Sequence, residues 1–434
     1  MGLLLPAATA VVVLRQGPDA VPSGGGPADE SSGGPSTSSA DARTRGANQL
    51  LQQMALRLES GSLDSLRALA VPVDRPATQE LGTLRDNVRT LRMTGLRMHL
   101  VDTPGATLEP GRGGGTIELG EGGAEEPDPP AASDRRWTGE VQVRWRLGAD
   151  GSGSHAQVPF TFRQFAGTTR FGTARADRRS PIPLWMLDRV AVARTSRSLV
   201  VSAGPDPTGD VSRLADQAVV DVRRVLPRWP GRVVVEVPRD QRQLGRVLGT
   251  GAGTYAAIAA ATATADGSLS RRAPAHVFVN PRVFDPLGPR GSQIVMSHEA
   301  THVAMRAALS PSPLWLLEGF ADYVALAHVD VPVSRLAGQT LARVRRSGPP
   351  DRLPTQQDFG PRRPELGASY EAAWLACRLI AERYGEQRLV AFYRASDRAG
   401  GTERAFRTVL GTSEPAFTQV WRAELRRLAR STSG

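Results

Sequence analysis

The sequence predicts an α+β protein in two folded regions, on three observations. Between residues 46 and 192, stretches with helical spacing precede runs that alternate with period two. From residue 195, short apolar runs alternate with helical patterns, which suits a mixed sheet. Beyond Asp330 the pattern is helical to residue 434. A chain of 434 residues is long enough to bury two cores. The first region is placed at 46–192 and the second at 195–434.

The N-terminal elements come first. Gly2 to Leu14 is apolar, interrupted by Pro6 and closed by Arg15. Such a run is short of the ~20 residues of a membrane span and matches a signal-peptide core. No basic residue precedes it, so residues 1–15 are expected to be part of a longer signal or anchor. Residues 16–45, rich in Gly, Pro, Ser, Asp and Ala, cannot bury a core and read as a flexible linker. Together they predict an extracytoplasmic chain, secreted or tethered to a membrane through its N-terminus.

In the first region, Gln49 to Leu66 has helical spacing through Leu50, Leu51, Met54, Leu56 and Leu58, and Ala77 to Leu91 continues it. Leu96–Val101, Trp137–Leu147 and Gln157–Arg163 then alternate with aromatics, the mark of half-exposed antiparallel strands. Gly111 to Ser133 is expected to be a long loop or insert. His99 and His155 are read as ordinary strand residues. Helices followed by a curved antiparallel sheet resemble an NTF2-like or cystatin-like module, which implies a docking or spacing role. No catalytic set is visible here.

In the second region, Leu199–Ser202 and Val233–Val237 read as strands, Asp210–Leu226 as a helix and Asp240–Leu248 as a short helix. Tyr255–Ala265 is an alanine- and threonine-rich segment, His276–Asn280 a strand and Pro281–Arg290 a loop. Ser292 is a plausible N-cap for a helix over Gln293–Leu309, which lacks proline and glycine. A second apolar helix is expected to begin near Ser312 or Pro313. Further helices are expected at Ser334–Arg346, Tyr370–Tyr384, Arg388–Arg398 and Pro415–Arg430.

The chemistry lies on the two apolar helices. His298-Glu299-Ala300-Thr301-His302 is an HExxH motif in a chain with six histidines. On a helix, positions i and i+4 share a face, so both imidazoles reach one point. Glu318 follows His302 after fifteen intervening residues, in an apolar run where a lone charge would be costly to bury. Two histidines and a glutamate form a three-ligand zinc site with a fourth position for water, and Glu299 stands beside it. Asp322, four residues on, could accept the remaining N–H of a ligand histidine. The alternatives are a core helix with hydrogen-bonded histidines, Glu318 as a cap and Asp322 as a solvated side chain.

The HExxH motif followed by Glu318-Gly319-Phe320-Ala321-Asp322-Tyr323 resembles the gluzincins, the thermolysin-like clan of zinc metallopeptidases. It is most similar to the peptidase MA-like domains of bacterial exported proteins. The resemblance spans roughly 195–430, and its specific part is His298–His302 with Glu318–Tyr323. It implies a zincin-like domain with a mixed sheet, an active-site helix and a helical C-terminal lobe. It implies one zinc ion per chain on His298, His302 and Glu318, with Glu299 as general base and acid and Asp322 orienting a ligand histidine. It also implies that the strand before the active helix, here Val277, Phe278, Val279 and Asn280, is the sheet edge that pairs with a peptide or protein substrate. His276 would line the cleft or lie at a strand-end surface. Tyr370 is the candidate oxyanion donor, with Tyr323 and His328 as alternatives and simple packing of Tyr370 as the other reading. The implied activity is peptide-bond hydrolysis; the alternative is a non-catalytic cell-envelope interaction protein that keeps the fold.

Composition bounds the remaining classes. The formal net charge is +11, yet no lysine occurs and the 54 basic residues are arginines scattered through every segment. That composition suits a GC-rich bacterial genome. With no nucleic-acid-binding motif, no nucleic-acid partner is expected. Cys377 is the single cysteine, which excludes an intramolecular disulfide and a thiolate metal cluster. It reads as a small buried filler.

Overall fold

A computed structural model describes residues 9–11, 37–101, 135–148, 153–174, 181–204, 208–251, 253–265, 273–360 and 363–431. Most of the expected signal segment and linker, and the insert at 111–133, lie outside these residues. The protein is α+β, with an antiparallel half-barrel sheet and a separate mixed sheet. Among the described residues no helix is long and apolar enough to cross a membrane.

The chain order begins with β1 (Thr9–Val11), followed by α1 (Thr37–Ser60), α2 (Leu63–Arg67) and α3 (Arg75–Thr90). The linker therefore ends earlier than expected, because Ala40, Ala42 and Arg43 are good helix formers and extend α1 upstream. The helix expected over Gln49–Leu66 breaks at Gly61, where Ser62 caps α2 by accepting the Ser65 N–H at 3.1 Å. The sheet β2 (Met93–Leu100), β3 (Arg135–Leu147), β4 (Gly153–Phe165) and β5 (Thr168–Thr173) is antiparallel in sequential order. Leu50, Leu51, Met54 and Leu58 of α1 share a core with Val141, Val143, Val158 and Phe160 of this sheet.

After the short α4 (Leu184–Leu187) come β6 (Ala191–Arg194), β7 (Ser198–Ser202), α5 (Thr208–Val225), β8 (Val233–Val237), α6 (Gln241–Val247), β9 (Ala260–Thr264) and β10 (Ala275–Val279). Sheet order is β1-β9-β10-β8-β7-β6. β7, β8 and β10 are mutually parallel, β9 runs antiparallel to β10, and β6 antiparallel to β7. Val277 and Val279 point to one face, into the core shared with α5 and the helices that follow. Phe278, Ala261, Ala263, Leu199 and Val201 point to the other face and join the first sheet's core. One apolar core thus crosses the boundary drawn at residues 192–195. Within the first region, Asn87 ties α3 to the segment around α4: its amide donates to the Trp185 and Asp188 carbonyls and accepts the Val190 N–H.

The helical part follows as α7 (Pro281–Phe284), α8 (Gly288–Met305), α9 (Leu314–Leu326), α10 (Val333–Leu336), α11 (Gly338–Ser347), α12 (Leu366–Tyr384), α13 (Glu386–Ser396), α14 (Gly401–Leu410) and α15 (Glu414–Ser431). The expected loop 281–290 is largely helical, and α8 starts at Gly288 with a proline in its first turn. Ser292 is not the N-cap; it lies inside α8 and donates to the Phe284 carbonyl at 3.1 Å. Arg306, at φ 54°, ends α8 in a left-handed turn and redirects the chain toward α9.

The α9–α12 crossing fixes where Glu318 points. A methyl added at Gly319 would overlap the Ala373 carbonyl oxygen and meet Cys377 Sγ at 3.0 Å. Only a residue without a side chain lets the two helices approach this closely. Cys377 is fully buried in that contact, as expected of a filler. Gly319→Ala is expected to lower unfolding free energy by about 1–3 kcal/mol through overpacking, read from denaturant melts. An unchanged midpoint would show that the crossing tolerates the methyl.

Candidate metal centre

Helix α8 supplies His298, Glu299 and His302, and α9 supplies Glu318 and Asp322. The i, i+4 spacing on α8 sets the two imidazoles edge to face, with ring centroids 4.6 Å apart. Their Nε2 atoms are 2.9 Å apart, and Glu318 Oε2 lies 3.1 Å from His298 Nε2 and 3.6 Å from His302 Nε2. Each of the three residues is at most 2% exposed. This buried group could hold a metal ion.

Hydrogen-bond chemistry supports the fit. His298 Nδ1 is 2.8 Å from Asp322 Oδ1, and an ionised carboxylate only accepts, so Nδ1 donates. In the neutral ring Nε2 then carries a lone pair, aimed at a second imidazole nitrogen and a carboxylate oxygen. Such converging acceptors repel unless a proton or a cation lies among them. Three donors each about 2.0–2.2 Å from one ion stand roughly 3.3–3.6 Å apart, against the 2.9 to 3.6 Å found here. Glu299 Oε1 and Asp322 Oδ2 are buried without a hydrogen-bond partner among the described residues.

Burial and charge pull against each other throughout the cluster. Burial alone would lower the His298 pKa, but Asp322 and Glu318 outweigh it and raise it well above the ordinary value. Burial lowers His302, only partly opposed by Glu318. Glu318 is penalised by burial, yet His302 and His298 hold it down to about 2. Burial raises Asp322 against the pull of His298. Burial also pushes Glu299 up to about 7, opposed by His298 and by the Thr262 hydroxyl. The cluster thus favours a positive charge between the imidazoles and carboxylates, and a metal ion would compete with the proton for that position.

The five residues expected on these helices are brought together. Tyr370 of α12 is also near: its ring centroid is 6.5 Å from that of His298, and Phe359 packs edge-on against it at 5.2 Å. The alternatives to Tyr370 lie elsewhere. The Tyr323 hydroxyl donates to Glu386 at 2.9 Å on the surface, and His328 is exposed.

Two expectations are corrected. Val277, Phe278 and Val279 are not a sheet edge; their strand lies between β9 and β8, and Asn280 at its end is buried with its amide donating to the Tyr255 carbonyl at 2.9 Å. The edge assignment took the strand nearest α8 in sequence, whereas the antiparallel β9 is inserted outside it. His276 neither lines the cleft nor lies at the surface. It is 3% exposed, on the Phe278 face of the sheet, with Nδ1 2.7 Å from Glu236 Oε1.

Sequence reasoning also missed Thr262. From the middle of β9 its hydroxyl donates to Glu299 Oε2 at 2.6 Å and leaves Oε1 turned elsewhere. A threonine in an Ala/Thr-rich stretch, 37 positions from Glu299, gave no signal.

Comparison with protein-family models gives no match, and comparison with curated proteins gives none. The site rests on its own geometry. Asp322→Asn is expected to weaken divalent-metal binding about 10–100-fold, measured by competition with a chelating dye. Unaltered affinity would mean that Asp322 does not orient His298.

Proposed function

We propose that the protein is an extracytoplasmic zinc metallopeptidase of the gluzincin type, with a zincin-like second region and an NTF2-like first region that docks or spaces it. The observation that carries this reading is the position of Glu299: its carboxylate is held by Thr262 on one oxygen, beside a buried His298–His302–Glu318 donor set. Two imidazoles and one carboxylate are the donor set of a catalytic zinc with an open position. Zinc bound there would polarise the scissile carbonyl and acidify water.

The chain's own groups supply the rest. Glu299 Oε1, free of hydrogen bonds among the described residues, takes a proton from water. The oxygen adds to the peptide carbonyl carbon, the C–N bond breaks, and Glu299 returns the proton to the departing amine nitrogen. His298 is held in one tautomer by Asp322. Tyr370 is the candidate donor to the developing oxyanion. The substrate is an extended peptide or protein segment. The N-terminal apolar run and linker support export with a membrane tether or secretion.

A second reading, a non-catalytic envelope interaction protein, is favoured by one feature: Glu299 is fully buried. Bound zinc with no cleavage of any peptide in a broad library would select it.

Glu299→Gln is expected to keep about one zinc per chain and lose peptide hydrolysis; full activity in that variant on a peptide the wild type cleaves would refute the mechanism. Tyr370→Phe is expected to reduce kcat about 10²–10³-fold with zinc content unchanged. Turnover equal to wild type would leave Tyr370 a packing residue.

A further inference from the structure

β9 hydrogen-bonds to β10 on one side; on the other it hydrogen-bonds to β1, from near the start of the chain. The pairing is parallel, with Thr9 opposite Ala260, Ala10 opposite Ala261 and Val11 opposite Thr262. Without β1, β9 would be the outer strand of the sheet. It is poorly made for that position. Ala260-Ala261-Thr262-Ala263-Thr264 contains no charge and no proline, the usual devices that protect an exposed edge, and all five residues are buried. Small side chains leave the backbone open to close approach by another strand. The position opposite Val11 is Thr262, the residue that holds Glu299. Thr9–Val11 carries no charge, as suits a strand lying along an alanine-rich edge.

We propose that Thr9–Val11, wherever the N-terminal run is neither removed nor drawn into a membrane, is an internal occupant of the β9 edge, which holds that edge against other extended peptides and keeps the neighbouring site covered until removal or membrane insertion of the same run displaces it. The segment uses the same backbone donors and acceptors that an incoming strand would need. It is joined to α1 by residues 12–36, so it competes as an intramolecular ligand at high effective concentration. Its consequence for catalysis rests on the peptidase reading; the pairing does not.

The test uses the full chain with Ala10→Pro and Val11→Pro together. Neighbouring residues of a strand send their N–H groups to opposite sides, so one of the two prolines removes a donor aimed at β9. Hydrogen exchange of the Ala260–Thr264 amides is expected to quicken at least tenfold on the β1 side, with β7 and β8 unchanged. A labelled peptide of residues 5–14 is expected to bind the variant and not the wild type. Equal exchange in the two proteins, with no peptide binding to the variant, would overturn the proposal. An independent check is Ala10→Cys with Ala261→Cys, residues directly opposite in the register, oxidised with glutathione disulfide. A cross-link between positions 10 and 261 by peptide mapping supports the pairing, and its absence under conditions that oxidise other thiols counts against it. Where the site is a peptidase, the proline variant cleaves at least tenfold faster. Faster exchange and peptide binding without cleavage in either protein would retain the occupant and reject the peptidase reading.

Discussion

Glu318 and Asp322 place two carboxylates on one side of an apolar helix, and that helix is packed against α8 and α12 with both groups almost wholly out of water. Charges so placed are tolerable only with compensation close by. His298 provides it in both directions, through Nδ1 to Asp322 and Nε2 to Glu318. The remaining structure serves this pair of contacts. Gly319 lets α9 lie close on α12, Arg306 turns the chain from α8 into α9, and the Ser297 hydroxyl ties α8 to Asp221 of α5 at 2.8 Å. Displacing α9 by an ångström would leave uncompensated carboxylates in an apolar interior, so packing and site stand or fall together.

The centre was legible in the sequence because its signal is local. HExxH is a helix-period pattern, and Glu318 is conspicuous as a charge in an apolar run. What the sequence hid is relational. The strand His276–Asn280 precedes α8, but nothing in its residues says that β9 is inserted outside it. β9 itself is built of alanine and threonine, and alanine is depleted in strands, so its period was invisible. Thr262 was lost with it. Helix starts were misplaced where glycine and proline were read as loop: Gly288 opens α8, and α14, which begins at Gly401, was not expected.

The two regions were separable by pattern but not by packing. Period-two runs and helical spacing located the α1–α3 helices and the β2–β5 sheet, yet no pattern revealed that Phe278, Ala261 and Leu199 would turn their side chains into the first region's core. The mixed sheet is covered on both faces, by α5 and α8 on one side and by the first region on the other. The strand that holds Glu299 is therefore supported from behind by residues far from it in sequence, which gives the first region a structural part in positioning Glu299.

The most direct measurement is an anomalous-difference map from crystals of the full chain grown with zinc and recorded at the zinc absorption edge. The account predicts one strong peak bonded to His298 Nε2, His302 Nε2 and Glu318 Oε2, with Asp322 still on His298 Nδ1. A peak elsewhere, or Glu318 turned away from the imidazoles under saturating zinc, would contradict it.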